Sequence, residues 1–301
     1  MGARSLLAVF LILVTAGTEW AEYCRQPGTP VPRAEAAKYD KAVLLSPSEV
    51  VAAEERHLRW GKPACGRYLY HREFVLCYDT ERRVALWAMY ELTKAEIKQL
   101  ARRNAFRTDP RLLPDESATC RDYVNTTKSV TFDRGHTVPN ADMNRSKATQ
   151  ANTYFLSNMT PQYSRFNQGV WASFEGKVRV WTKSYVRISI ISGSVFDTDD
   201  DGKPDAPADA VFKRPTKRTA IPSHYYKILV RERADGEIET LAVLVPHVKK
   251  DPANFEKFLE RNLVSIGEIK ARTGMDFFPA LPTATREALE TAVASKLWPK
   301  N

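Results

Sequence analysis

Short runs of β-branched and aromatic residues, separated by turn residues, constrain the fold of this 301-residue chain more than any other feature. Residues 74–78 and 84–90 are two such runs on either side of a charged turn, which predicts a β-hairpin with one buried face. Further strands are predicted at residues 178–181, 185–192, 224–230 and 238–245. Helices are predicted at residues 46–60, 93–103, 254–263, 265–273 and 283–296. With no internal repeat and no long linker, this order favours one mixed α+β domain.

The N-terminus, residues 1–21, has the pattern of a secretory signal peptide. Arg4 supplies its positive charge, and residues 6–14 form an unbroken apolar run that is followed by small residues. The run is far shorter than the ~20 residues that span a bilayer, and it lacks the Arg- and Ser-rich composition of a mitochondrial transit peptide. We therefore expect a secreted, extracellular protein with no membrane attachment after cleavage. Residues 22–64 would form an N-terminal extension, and residues 65–298 the main domain.

Cysteine content and charge indicate the surroundings in which the chain works. An even number of cysteines in a secreted chain predicts two disulfides among Cys24, Cys65, Cys77 and Cys120. Three connectivities are open, and the spacing lacks the CxxC pairs of a zinc site. The formal net charge of +9 fits a protein that meets nucleic acid, heparin-like polymers or anionic membranes, but charge alone does not choose among them.

Residues 131–175 concentrate the groups that phosphodiester hydrolysis requires. That reaction needs an activated water, a cation at the phosphate and stabilisation of the leaving oxygen. A neutral histidine can accept the proton of the water, and an arginine offers fixed donors to phosphate oxygens. Mg²⁺ keeps several waters and needs few protein oxygens, so one Asn carbonyl is sufficient. The candidate residues are Arg134, His136, Asn158, Asn167 and Glu175.

Three motifs in this stretch resemble the ββα-metal DNA/RNA non-specific endonucleases. They are DRGH at residues 133–136, LSNMTPQ at residues 156–162 and FNQGVWASFE at residues 166–175. The resemblance extends over roughly residues 65–285. It implies a ββα-metal (His-Me finger) nuclease fold, with a central antiparallel sheet flanked by helices. It also implies an endonuclease that hydrolyses DNA and RNA to 5′-phosphorylated fragments.

The resemblance implies a role for each candidate. His136 would be the general base, and Asn167 the sole direct protein ligand of Mg²⁺, for which Mn²⁺ is a substitute. Glu175 would hold metal-bound waters, Asn158 would support the site, and Arg134 would contact the phosphate.

A second phosphate-contacting arginine is implied upstream of the DRGH motif. Arg103 is the preferred match, with Arg102 and Arg107 as alternatives, and we count Arg107 with Arg103 and Arg134 among the substrate-binding candidates. Asp133 is expected to support the residues that contact metal and phosphate without contacting either itself.

A second resemblance concerns residues 65–74 and 192–205, which are similar to the non-catalytic nuclease-like domain of ectonucleotide pyrophosphatase/phosphodiesterases. Four aspartates occupy positions 1, 3, 5 and 9 of an EF-hand-like loop: Asp197, Asp199, Asp201 and Asp205. Position 12 is Ala208 instead of the usual glutamate. We favour a structural Ca²⁺ site over an acidic turn without a cation.

The leading hypothesis is a secreted Mg²⁺-dependent, sugar-non-specific endonuclease whose partners are DNA and RNA. The alternative is a catalytically inactive nuclease-like domain that serves as a scaffold or binds nucleic acid. A basic polyanion-binding protein, supported by charge alone, is the third reading. Formation of a homodimer is left open.

Overall fold

The computed structural model describes residues 21–25, 30–185, 187–233 and 237–299. The predicted signal peptide lies outside these residues, apart from Ala21, and stays a prediction. Within the described ranges, no helix is both long and apolar enough to cross a membrane. The helices are α1 (Arg33–Ala42), α2 (Pro47–His57), α3 (Lys147–Asn152), α4 (Ser164–Phe166), α5 (Ala172–Tyr185), α6 (Phe255–Arg261), α7 (Ile266–Thr273) and α8 (Thr283–Thr291).

Six antiparallel strands form the central sheet, and two more form a separate pair. The strands are β1 (Arg67–Tyr70), β2 (Val75–Asp79), β3 (Val84–Thr93), β4 (Phe132–His136), β5 (Met159–Tyr163), β6 (Arg187–Val195), β7 (His224–Glu232) and β8 (Ile238–Pro246). The central sheet has the spatial order β1-β2-β3-β6-β7-β8, and β4 pairs with β5. The β2–β3 hairpin, the three later strands and the α+β class are therefore confirmed.

Hydrophobic residues alternate between the two faces of the central sheet, as the pleat of a strand requires. On β2 and β3, Leu76 and Tyr90 face one core, which also takes the buried face of α5. Trp87 and Met89 face the other core, which takes the buried face of α7. Burial on both faces explains why residues 241–245 of β8 are a continuous apolar run.

Two predicted elements are wrong. Residues 178–181 lie within α5, because Val178 and Trp181 continue a buried helical face that starts at Phe174. Spacings of three and four residues place these side chains together on a helix, whereas four residues are too few to show a period by themselves. Residues 93–103 form only one turn of 3₁₀-helix, Lys94–Glu96, after β3 ends at Thr93. The predicted capping box is present, but the chain beyond it is irregular.

Both predicted disulfides form, and they join Cys24 to Cys120 and Cys65 to Cys77. The first connects the N-terminal extension to the segment that precedes β4. Val31 and Ala36 of that extension are buried in the same hydrophobic cluster as Phe106. The extension therefore packs beside the stretch that contains the candidate residues.

Candidate active site

The central motifs fold into two antiparallel strands followed by a helix. His136 at the end of β4 pairs with Met159 at the start of β5. After β5 the chain enters α4, passes through a π-helical turn at Asn167–Trp171 and continues as α5. The catalytic candidates thus lie where β4 ends and where the helix begins, as the resemblance predicted.

His136 is held as a neutral imidazole. Its ring packs edge-on against Tyr154 at 5.1 Å and lies 5.9 Å from the ring of Phe106. Burial, together with the smaller effect of the positive charge of Arg102, lowers the pKa of His136 to about 3. The buried Nε2 has no hydrogen-bond partner among the described residues. A neutral ring with an unused nitrogen can accept a proton from water.

Asn167 presents its carbonyl oxygen because Asp133 holds its amide nitrogen. Asn167 Nδ2 donates to Asp133 Oδ2 at 2.8 Å, and no described residue donates to Asn167 Oδ1. The same carboxylate accepts hydrogen bonds from Ser164 Oγ and Gln168 Nε2, both at 2.8 Å. An amide oxygen fixed in this way is a ligand that a hard divalent cation accepts.

Asn167 and Glu175 lie eight positions apart, on the two sides of a kink in the helical segment after β5. Asn167 begins the π-helical turn, and Glu175 lies in the first turn of α5. The Glu175 carboxylate makes no hydrogen bond or ion pair within the described part of the chain, and burial raises its pKa.

Asp251 stabilises this turn and was not singled out from the sequence. Its Oδ1 accepts a hydrogen bond from the N–H of Val170 at 2.8 Å. At Gly169 the backbone leaves the helical conformation, and a Cβ there would collide with the Asp251 carboxylate. No local sequence pattern predicts this role of Asp251, because Asp251 and Val170 are 81 residues apart in the chain.

A buried charge network near Glu175 was also missed by the sequence analysis. Tyr90 Oη donates to Asp142 Oδ2 at 2.7 Å, and Arg179 Nη1 donates to Asp142 Oδ1 at 2.8 Å. Lys227 is buried and donates to Ser192 Oγ at 2.8 Å. The positive charges of Lys227 and Arg179 oppose the effect of burial on the pKa of Glu175. They therefore favour the ionised carboxylate.

A cleft of about 640 Å³ opens beside Asn167. Its walls include Asn167, Asp133 and three cationic side chains, Arg25, Arg102 and Arg134. The Arg134 guanidinium lies over the ring of Phe106 at 4.7 Å, and the same ring contacts His136. His136 and Glu175 do not line this cleft themselves. Arg102 lines the cleft, and its positive charge lowers the pKa of His136 and the pKa of Glu175. Both residues therefore lie within the range of its charge.

The structure places the upstream arginines differently from the sequence analysis. Arg103 forms a bidentate ion pair with Glu35 of α1, in which Nη1 and Nη2 donate to the two carboxylate oxygens at 2.9 and 2.8 Å. Arg103 does not line the cleft. Arg107 is wrong as a substrate-binding residue, because its side chain is fully buried, paired with Asp40 at 2.6 Å and stacked on Phe155. Arg102, an alternative in the sequence analysis, is the one that faces the cleft.

Asn158 supports the site through the backbone. Its buried side chain accepts from the N–H of Val138 at 2.9 Å and donates to the carbonyls of Val138 and Thr153. The Asn158 carbonyl accepts from the N–H of Thr137 at 2.9 Å. These bonds fix the chain immediately after His136, so Asn158 is a positioning residue and does not reach the cleft.

The acidic loop lies apart from this site. Carboxylate oxygens of Asp197, Asp199 and Asp205 lie within 4.8 Å of one another, whereas Asp201 does not belong to the cluster. Asp201 accepts a hydrogen bond from the N–H of Lys203 instead. Arg272 forms an ion pair with Asp197 at 2.6 Å, which already compensates part of the negative charge. The Ca²⁺ site stays a prediction, with three of the four proposed aspartates grouped.

Two antiparallel strands followed by a helix, with a neutral histidine at the end of the first strand and a fixed asparagine oxygen on the helical segment, are the arrangement of the ββα-metal class of nuclease folds. Residues 59–284 match the DNA/RNA non-specific endonuclease family, and the chain belongs to this family. The human protein called endonuclease G, mitochondrial, is 32% identical over 225 residues, which cover 73% of this chain and 72% of that protein. The Danio rerio protein called nuclease EXOG, mitochondrial, is 30% identical over 228 residues, covering 74% and 64%.

Two further similarities agree with the sequence analysis. A bovine ectonucleotide pyrophosphatase/phosphodiesterase family member 3 is 27% identical over 274 residues, which cover 82% of this chain but 31% of that protein. The crystal structure of an EndoG/EndoGI complex superposes on this chain with a TM-score of 0.66 at 24% identity. The match covers 79% of this chain and 94% of the other, and it shows that the fold is shared.

Proposed function

We propose that this protein is a secreted, Mg²⁺-dependent endonuclease that hydrolyses DNA and RNA without selecting the sugar. The observation that carries the proposal is the unpartnered Asn167 oxygen, which is fixed by Asp133 and lines a cleft together with three arginines. Membership in the DNA/RNA non-specific endonuclease family supports it, and so do the names of the nuclease relatives. The positive net charge of +9 favours binding of a polyanion.

The residues that line the cleft can divide the reaction with His136, whose ring contacts the lining residue Phe106. His136 accepts a proton from the attacking water, because its ring is neutral at physiological pH. Arg134 and Arg102 offer guanidinium donors to the phosphate oxygens and counter the charge that develops there. Departure of the 3′ oxygen leaves the phosphate on the 5′ side, which gives 5′-phosphorylated products.

The oxygens of Asn167 and Glu175 fit a hard divalent cation. Both residues are without hydrogen-bond or ion-pair partners for these oxygens in the described chain, both belong to the helical segment that follows β5, and neither is a soft ligand. Bound Mg²⁺ would supply charge neutralisation at the phosphate and at the leaving oxygen. Asp133 and Asp251 keep the asparagine in place for it.

Secretion is supported by the two disulfides, which persist in oxidising compartments. The relatives named above are called mitochondrial, so the location of this chain needs its own test. Expression of the full chain in cultured eukaryotic cells should release a protein into the medium that lacks about 20 N-terminal residues. Retention in mitochondria would contradict secretion and leave the nuclease proposal untouched.

The activity is tested with the purified protein on plasmid DNA and on RNA. Mg²⁺ should support cutting of both substrates to 5′-phosphorylated ends, and EDTA should abolish it. His136→Ala should remove the activity, whereas His224→Ala is the matched control, since His224 starts β7 of the central sheet, outside the β4–β5 pair and the helix that follows it. Undiminished cutting by His136→Ala would refute the assigned base. Absence of cutting by the wild type would refute the endonuclease and favour an inactive nuclease-like domain.

A further inference from the structure

A second recess of about 230 Å³ adjoins the cleft. It lies between the loop that precedes β4 and the segment around residues 211–221. Its walls are formed by Asn125, Thr126, Thr127, Val130, Phe132, Phe212, Lys213, Arg214 and Ile221. None of these residues has a role in the proposed hydrolysis.

Phe132 belongs to both cavities, so the recess continues the cleft. Phe132 is the first residue of β4, two positions before Arg134. Its ring is stacked on Tyr163 at 4.7 Å, and Tyr163 is stacked in turn on His247 at 4.2 Å. This column fixes the ring at the boundary between the phosphate-binding cleft and the recess.

The lining of the recess combines aromatic rings with cations. Phe212 adds a second aromatic side chain, and Lys213 Nζ lies 5.6 Å from the centre of the Phe132 ring. Lys213 is buried and donates to the carbonyls of Val124 and Arg214, so it contributes charge without offering a free donor. Arg214 is exposed, and its guanidinium makes no hydrogen bond or ion pair in the described chain.

We infer that this recess is a subsite for one base of the nucleic-acid strand next to the phosphate that is cut. A base stacks on aromatic rings whatever its identity, which suits an enzyme without sequence preference. The exposed Arg214 would contact the adjoining phosphate. The volume lies below the ~300–1,000 Å³ of pockets for drug-sized ligands, so it accommodates one base and not two. This inference rests on the proposed function.

The test maps the cuts in a labelled single-stranded oligonucleotide that contains one abasic residue. If the subsite holds a base, wild-type protein should cut about tenfold more slowly at one fixed distance from the abasic residue than in the intact oligonucleotide. In Phe212→Leu the cut at this position should be equally fast in the abasic and the intact oligonucleotide, because leucine keeps the apolar bulk but has no ring face on which a base can stack. Phe212→Trp should restore the difference between the two oligonucleotides, and the melting temperatures of both variants show whether they fold.

Charge is tested separately by a matched pair of reversals. Arg214→Glu should raise KM several-fold, whereas Arg261→Glu at the end of α6, an exposed arginine outside both cavities, should not. The subsite is refuted if the abasic residue slows no cut by wild-type protein. It is also refuted if the abasic residue slows the same cut equally in folded Phe212→Leu. If wild type cuts no nucleic acid, the proposed function fails. Fluorescence anisotropy then decides the subsite, and equal affinity for intact and abasic oligonucleotides overturns it.

Discussion

Substitution of Asp133 by asparagine should weaken metal binding by the enzyme more than it destabilises the fold. Asp133 accepts three side-chain hydrogen bonds, from Ser164, Asn167 and Gln168, each at 2.8 Å. In Asp133→Asn the new amide can still serve some of these donors, but it no longer offers two charged acceptor oxygens. Asn167 is then free to rotate and to present its nitrogen where the metal needs an oxygen.

The size of the effect follows from the bond that is lost. A hydrogen bond to a charged group contributes about 1.5–3 kcal/mol, which corresponds to roughly a 10- to 150-fold change in an equilibrium constant. The Mg²⁺ concentration for half-maximal cutting should rise by about that factor, while the rate at saturating Mg²⁺ falls much less. Loss of a residue that hydrogen-bonds to a metal ligand commonly lowers the affinity for the metal by about 10- to 100-fold.

The assay measures the initial rate of cleavage of a fluorescent oligonucleotide against Mg²⁺ concentration for wild type and Asp133→Asn. Asp115→Asn is the control, since that exposed carboxylate forms no ion pair or hydrogen bond in the described chain and lies outside the cleft. An unchanged Mg²⁺ dependence in Asp133→Asn, with a fall in the maximal rate alone, would refute the role given to Asp133.

Three further outcomes are expected. Arg102→Ala should lower kcat/KM about 100-fold, whereas Arg103→Ala should change it by roughly twofold at most, since Arg103 is engaged with α1; steady-state kinetics decide between the two arginines. Burial lowers the pKa of His57 and of His247 to about 4, so the unfolded chain binds protons below about pH 6.5 and the folded chain does not. The free energy of unfolding should be fully retained above that pH and fall by about 1.4 kcal/mol per pH unit for each histidine as the pH decreases towards 4; urea titrations measure it, and a flat profile contradicts the burial. Asn158→Ala should lower the free energy of unfolding by about 2–4 kcal/mol through its unpaired backbone partners, as thermal unfolding would show.

Much of the fold could be predicted because its information is local. The β2–β3 hairpin and strands β6 to β8 follow from runs of β-branched and aromatic residues within single segments. Residues 178–181 were misassigned because four residues do not reveal a period, and only the buried face of the whole of α5 shows it.

The sequence by itself determined the ββα arrangement, through contiguous motifs that resemble a known family, and the structure has His136 at the end of β4 and Asn167 in the helical segment after β5. Only the tertiary structure decided which upstream arginine faces the cleft. Arg102 and Arg103 are adjacent on an irregular segment, and the path of that segment is set by contacts with α1 and α3. It also decided the disulfide pairing and the role of Asp251, because both join residues far apart in the chain. Such contacts depend on how segments that are distant in the sequence pack together, and no local sequence pattern contains that information.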